Sequence, residues 1–425
     1  MRGIVEGFHG EPWSHEARLQ VLALAARHGF DTYVYAPKDE PKHRTRWREL
    51  YDGEEAARFR ELGQAAAAAG IRLVYSVHPG LDMRFSDGDD FHALSGKVAQ
   101  MRGFGFDGAM LSFDDTAPTL GEIDARRFRG EPGAAHAYLA NWLHREQQTI
   151  REPFHLMLVP TECCGTVASP YLAALDDLLN AEIDVVWMGP AVLCERITAA
   201  EARAFARCVG RRPVLWDNYP VNDCNPRRLF LGPVTGRAAD LPQALAGVLV
   251  NSMRQARASL VPLLTYAAYL RDPVRYEPEA ALRAAVAEVG GPAAASLERL
   301  VSFQRQSHLD PRRQPAARLM ERLSSAAAAG GAVPEQVEAE LSALEGLPDA
   351  LAGAAVAGLA DEVAAWGVKL ARAAALVRGA LTGGDRAALT VQLGDLRADA
   401  TEIGEPLLAL AGSLLRAEPA RVGHG

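Results

Sequence analysis

The sequence predicts an α/β chain in which a (β/α)8 TIM barrel is followed by an all-α helical-bundle domain. Three observations predict it. A unit of short apolar run, polar or Gly/Pro-rich loop and amphipathic helix recurs eight times in roughly 250 residues, the length and rhythm of such a barrel. Each run ends on polar or backbone-permissive residues, as strands do where they enter a functional rim. After Asp272-Pro273 strands cease and helical runs continue. The expected domains are residues 1–270 and 271–425. An open doubly wound sheet shares the alternation, which by itself does not close a barrel.

The eight strands are expected at Gly3 to Val5, Thr32 to Tyr35, Arg72 to Val77, Ala109 to Phe113, His155 to Val159, Val185 to Met188, Val214 to Trp216 and Gly247 to Val250. Between them, helices are expected at His15 to His28, Glu54 to Ala69, Phe91 to Arg102, Gly133 to Gln148, Pro170 to Asn180 and Ala199 to Cys208. Several open on Ser, Asp or Pro and close on Gly, which cap helix ends. From 279 to 417 alanine-rich stretches at Ala326 to Ala329, Ala354 to Ala357 and Ala371 to Ala375 are punctuated at Gly290-Gly291-Pro292, Gly330-Gly331, Gly383-Gly384 and Gly404. Small residues on helical faces suit close helix packing, within the chain or in a homodimer. The last residues, Arg421 to Gly425, read as a frayed end.

Composition narrows the function. At 425 residues the chain exceeds one ordinary core, and 49% hydrophobic against 23% charged residues marks a globular protein. A net charge of -8 argues against a nucleic-acid partner. Neither a secretory signal nor an apolar run long enough to span a membrane is visible, so a soluble, cytoplasmic protein is expected. Five cysteines without CxxC spacing suggest neither a disulfide framework nor a zinc site.

The chemistry centres on Gly108 to Thr116, GAMLSFDDT, an apolar run that stops on two carboxylates. Asp114 and Asp115 fall where a strand becomes a loop. Two adjacent acids do not ionise independently, so one is expected to hold its proton to higher pH, as a general acid beside a charge stabiliser requires. An Asp-Asp pair at a strand end also serves simply as a helix cap. The other ends read Glu6 to Gly10, Ala36 to Asp39, His78 to Gly80, Thr161 to Cys163, Gly189-Pro190, Asp217-Asn218 and Asn251-Ser252. Trp187, Trp216, Tyr35 and Tyr219 lie beside them, and aromatic faces around a polar pocket suit a sugar ring; Trp13, at a helix entry, fits core packing better.

In order, GIVEGFHGEPWS, YVYAPKDEPKHRTRWRELY, HPGLDMRFS, SFDDT, PTECCGT, VLWDNYPVND with RRLFLGP, and GVLVN resemble the catalytic domain of family 84 glycoside hydrolases, the O-GlcNAcase-like β-N-acetylglucosaminidases, over about residues 3 to 255. The resemblance implies a retaining exo-glycosidase that uses the substrate's own acetamido oxygen as nucleophile and needs no metal or other cofactor. It implies Asp115 as general acid/base, Asp114 as the aspartate that orients the acetamido group, and Gly7, Lys38, Trp216, Asn218, Asp223 and Asn251 as pocket residues. The implied partner is an N-acetylglucosamine-bearing glycoconjugate.

Two residues depart from the family pattern. Cys163 stands where these enzymes carry tyrosine, and His9 replaces a tyrosine in the first motif. Loss of the first tyrosine implies weaker activity or room for a larger N-acyl group; His9 either contacts sugar or supports a residue that does. The rival readings are an endo-acting hyaluronidase-like glycosidase and a carbohydrate-binding barrel of reduced activity. A metal hydrolase built on His9, His78 and the Asp pair lacks ligand spacing.

Overall fold

The structure, a computed structural model, describes residues 1–116, 119–150, 153–313, 316–329 and 332–416. Eight parallel strands close a barrel in sequence order: β1 (Arg2–Glu6), β2 (Thr32–Tyr35), β3 (Arg72–Val77), β4 (Gly108–Ser112), β5 (His155–Val159), β6 (Asp184–Trp187), β7 (Val214–Asp217) and β8 (Gly247–Asn251). Closure is direct, with Val5 of β1 in register with Asn251 of β8. The open-sheet alternative is therefore removed. Apolar side chains from successive strands fill the interior, among them Val5, Val34, Val74, Met110, Met157, Val186, Val214 and Leu249, all fully buried. Such near-continuous apolar runs are what a parallel strand buried on both faces requires.

The outer ring is α1 (His15–Arg27), α2 (Gly53–Ala69), α3 (Gly88–Gly103), α4 (Glu122–Arg127), α5 (Pro132–Ile150), α6 (Pro170–Leu178), α7 (Ala199–Val209) and α8 (Ala256–Arg271). Their starts follow local chemistry. Ser14 and Ser169 accept amide hydrogen bonds at the first turns of α1 and α6, and Thr198 with Glu201 forms a capping box on α7. The eightfold strand-helix rhythm fails once. Between β7 and β8, residues Pro220, Asn225, Pro226, Pro233 and Gly236 break any helical run, and only a one-turn 3₁₀ segment, Leu241–Ala244, forms there.

The chain clusters into two compact units, Met1–Cys224 with Val234–Ala281, and Asn225–Pro233 with Leu282–Gly425. The described part of the second unit is helical. Its helices are α9 (Pro278–Gly290), which begins in the barrel unit, then α10 (Ala294–Phe303), α11 (Ala317–Ala329), α12 (Glu335–Glu345), α13 (Leu347–Leu351), α14 (Leu359–Leu381), α15 (Arg386–Ala398) and α16 (Glu405–Arg416). Ala354–Ala357, expected from composition to belong to a helix, instead forms a turn between α13 and α14. Gly353 and Gly358 bracket it, and the Ala355 and Val356 amides donate to the Gly290 and Val289 carbonyls. Gly330, Gly331 and Arg421 to Gly425 lie outside the described residues. No described helix is long and apolar enough to cross a membrane.

Candidate active site

Parallel closure puts every strand's carboxyl end on one rim, and the Asp pair follows directly from β4. The Phe113 carbonyl anchors the turn by accepting from the hydroxyls of Thr116 (2.6 Å) and Thr161 (3.0 Å), while the Phe113 ring stacks on His136 at 3.7 Å. The chain then turns sharply, with Asp115 at φ 60°, the left-handed region that non-glycine residues enter at a cost and that Asp and Asn tolerate best. The two carboxylates consequently differ. The Asp114 side chain is 7% exposed and that of Asp115 49%.

Lys38, at the end of β2, supplies the shared cation. Its Nζ donates to Asp114 Oδ2 and lies 3.4 Å from Asp115 Oδ2. Burial alone would raise the Asp114 pKa, but the ammonium, joined by His78 and Arg44, outweighs it and holds this carboxyl below the usual range. Burial would likewise lower Lys38, and the Asp114 carboxylate keeps it above its ordinary value. At Asp114, the expectation that carboxylate repulsion raises a pKa therefore gives way to an interposed cation that the spacing of the acids did not reveal. Asp114 Oδ1, also buried, has no hydrogen-bond partner among the described residues.

His78 is completely buried, and its Nε2 donates to the Asp114 backbone carbonyl; burial lowers its pKa, so it is neutral at pH 7. Arg44 was not singled out from the sequence, although it lies in the PKHR segment; its Nη2 is 3.7 Å from Asp115 Oδ2. His78, Asp114 and Asp115 offer three possible metal donors within 4.8 Å of one another. The donor set does not suit a metal ion, because an ammonium already lies between the carboxylates and His78 Nε2 carries a proton toward a carbonyl.

On the neighbouring strands β7, β8 and β1 the rim is tied by amides. Asn251 accepts from the Gly7 amide (3.1 Å) and donates to the Gly7 carbonyl (3.3 Å) and to Asn218 Oδ1 (3.0 Å). Asn218 Oδ1 also accepts from Trp216 Nε1 at 2.9 Å, and its Nδ2 donates to the Val192 carbonyl at 2.9 Å. Gly7 is dictated by this arrangement, since a Cβ there would overlap the Trp216 ring, with Cη2 only 2.8 Å away. Trp216 is 1% exposed, with Lys38 Nζ 5.8 Å from its ring centre. It is a buried wall behind Gly7, not an open face. Tyr35, Trp187 and Tyr219 are also buried, so they offer no aromatic platform for a sugar.

Asp223 joins through the β1 loop, accepting from the His9 amide at 2.9 Å. Asp39, part of the expected polar end of β2, accepts from the Gly10 amide (2.8 Å) and pairs with His9 Nδ1 (3.2 Å). His9 thus bridges the ends of β2 and β7, with half its side chain exposed. Asp217, at the rim in sequence, turns away from chemistry: Arg237 grips it at 2.6 and 2.7 Å and Tyr266 donates to it, all buried. Cys163 is partly buried against the barrel core, its Sγ 3.8 Å from that of Cys164; that neighbour and burial push its thiol pKa up, so it is a neutral thiol.

A closed parallel barrel whose ionisable groups gather at the carboxyl ends of its strands has the layout of a barrel enzyme. The family model described as beta-N-acetylglucosaminidase matches residues 2–304, and the chain belongs to that family. It is the family to which the strand-end motifs point. The Protein O-GlcNAcases of Rattus norvegicus and Mus musculus are each 36% identical to the chain over 276 residues, 64% of this chain and 30% of theirs. The match thus spans under a third of the length of these curated relatives. Among solved structures, an O-GlcNAc hydrolase mutant of Thermobaculum terrenum aligns with a TM-score of 0.85 at 26% identity, covering 98% of this chain and 94% of that one.

Proposed function

We propose that the protein is a retaining exo-β-N-acetylglucosaminidase that cleaves terminal N-acetyl-β-glucosaminides through an oxazoline intermediate. The observation that carries this reading is the buried, unpartnered Oδ1 of Asp114, on a carboxylate whose other oxygen is held by Lys38. A buried acceptor without a donor is costly, and the N–H of a substrate acetamide would satisfy it. Ionised Asp114 would then favour the positive charge that grows on the acetamide as its carbonyl oxygen attacks C1. The C1–O bond to the leaving group breaks as Asp115 gives that oxygen a proton. Asp115, now ionised, takes a proton from the water that reopens the oxazoline at C1, and two inversions leave net retention.

Adjacent carboxylates suit this chemistry because no enzyme group attacks from the far face of the ring. The exposure of Asp115 gives it access to the leaving group and to water, while Asp114 is shielded. Gly7, Lys38, Trp216, Asn218, Asp223 and Asn251 would shape the sugar subsite. Asn218, Asn251 and Trp216 act in this account largely by holding one another and the Gly7 backbone. A cytoplasmic location, which five free cysteines suit, and pairing with a second copy through the helical region belong to the same proposal.

The test is release of the aryl group from an aryl N-acetyl-β-glucosaminide by wild type and Asp115→Asn. Turnover by the wild type and loss of it in the variant is expected. Saturable sugar binding without turnover would instead favour the carbohydrate-binding barrel.

A further inference from the structure

The helical unit contains a cavity of about 570 Å³, within the range of small-molecule sites. Six cationic side chains line it: Arg227, Arg228, Arg312, Arg313, Lys369 and Arg397. Only two carboxylates, Glu402 and Glu405, face them from the lining. In a chain of net charge -8 this is a local concentration of positive charge, not general basicity. The cations come from the Asn225–Pro233 segment, the stretch before α11, α14 and α15, so the fold gathers them from four distant places. The first turn of α16, a twelve-residue helix, adds the positive end of its dipole at Glu405 and Pro406.

Local carboxylates offset this charge only in part: Arg227, Arg313 and Lys369 each stand 3.7–3.8 Å from one, on Glu402, Asp310 and Asp399. Lys369 is 4% exposed, yet its Nζ donates to the Asp399 carbonyl (3.3 Å) and the Thr401 carbonyl, and the nearest carboxylate oxygen, on Asp399, is 3.8 Å off. Arg227 donates to the Ala400 carbonyl at 2.7 Å and stands 3.7 Å from Glu402. Arg312 and Arg397 meet no carboxylate within 4.0 Å among the described residues. Burial outweighs Glu402 at Arg228 and Asp399 at Lys369, lowering the pKa of both. Ile403, Leu408, Pro311 and Pro406 give the remaining wall an apolar character suited to an organic body.

We propose that this cavity binds a small anion carrying two or more phosphate or carboxylate groups. Five guanidinium forks match paired anionic oxygens in a way that point charges do not. All of its lining residues belong to the helical unit, and the proposal is independent of the glycosidase reading.

Titration calorimetry of the full chain at low salt, with pyrophosphate, citrate and a nucleoside diphosphate in separate arms, tests it. Saturable one-to-one binding with Kd below about 1 mM is expected in at least one arm. The tightest arm then distinguishes a bare oligophosphate, a polycarboxylate and a phosphorylated organic molecule. Arg312→Ala with Arg397→Ala, both at exposed positions, should weaken that binding at least about tenfold at an unchanged unfolding temperature. Absence of saturable binding in every arm, or equal affinity in the double variant, overturns the proposal. Should the double variant unfold early, Arg397→Gln alone must weaken binding at least about threefold, and failure to do so is likewise fatal.

Discussion

Lys38 Nζ is held on Asp114 Oδ2 and stands 3.4 Å from Asp115 Oδ2, so one buried ammonium serves both carboxylates of the candidate site. Its removal has a definite sign. Without that charge, burial dominates at Asp114 and its pKa rises. Lys38→Met should lower kcat/KM by about 100- to 1,000-fold, the size of an electrostatic contribution in a dry site, and move the acid limb of the pH profile upward. A variant that loses rate with its acid limb unmoved would contradict the assignment.

Asp115 offers a way to separate strain from chemistry. At φ 60° a side chain costs about 1 kcal/mol that glycine avoids. Asp115→Gly should therefore unfold at or above the wild-type temperature while losing about 100- to 10,000-fold in rate, the range for a general acid. Asp115→Val, β-branched in the same conformation, should unfold earlier. Thermal unfolding of the two variants decides, and a destabilised glycine variant would mean that the contacts to Lys38 and Arg44 outweigh the strain.

Gly7 and Trp216 form a second testable pair. Gly7→Ala pushes a methyl into a ring that the barrel core leaves no room to move, and should cost about 1–3 kcal/mol. Trp216→Phe removes the overlapped ring atoms. In the double variant the alanine should cost less than it does alone, measured by denaturant unfolding. Strict additivity would show that the two do not share space.

Buried histidines set the acid limit of the fold. Burial lowers His43 and His136 to about 3, and lowers His78 as well. A histidine depressed in the folded state contributes its full stability above the unfolded pKa near 6.5 and loses it as pH falls below that value. His43 and His136 should each cost about 2 kcal/mol by pH 5. The Asp114–Lys38 pair works in a different window, its stability being lost only as pH falls through the depressed carboxyl or rises through the elevated ammonium. Denaturant midpoints should thus drop between pH 6.5 and 5, and His136→Phe should flatten that slope.

Much of this was readable in the chain because the barrel's rules are local. Apolar runs end on polar or backbone-permissive residues at all eight strands, and the Asp pair, Lys38, Gly7, Asn218 and Asn251 do gather on one rim. What escaped depends on distant partners. No pattern around Asp217 announces Arg237 and Tyr266, which take it out of the site, and none marks Arg44, which enters it. The seventh crossover lacks its helix because proline and glycine override the repeat. Ala354–Ala357 turns because its flanking glycines and the Gly290 carbonyl outweigh alanine's helix preference.

In the proposed reaction the sugar supplies its own nucleophile while Asp114 holds the acetamide. Measuring kcat/KM on aryl glucosaminides bearing N-acetyl, N-fluoroacetyl, N-difluoroacetyl and N-trifluoroacetyl groups tests it most directly. A monotonic fall on the order of 100-fold or more is expected across the wild-type series, because fluorine weakens the attacking carbonyl oxygen, and a shallower fall for Asp114→Asn. Wild-type rates that stay level across the series would contradict it.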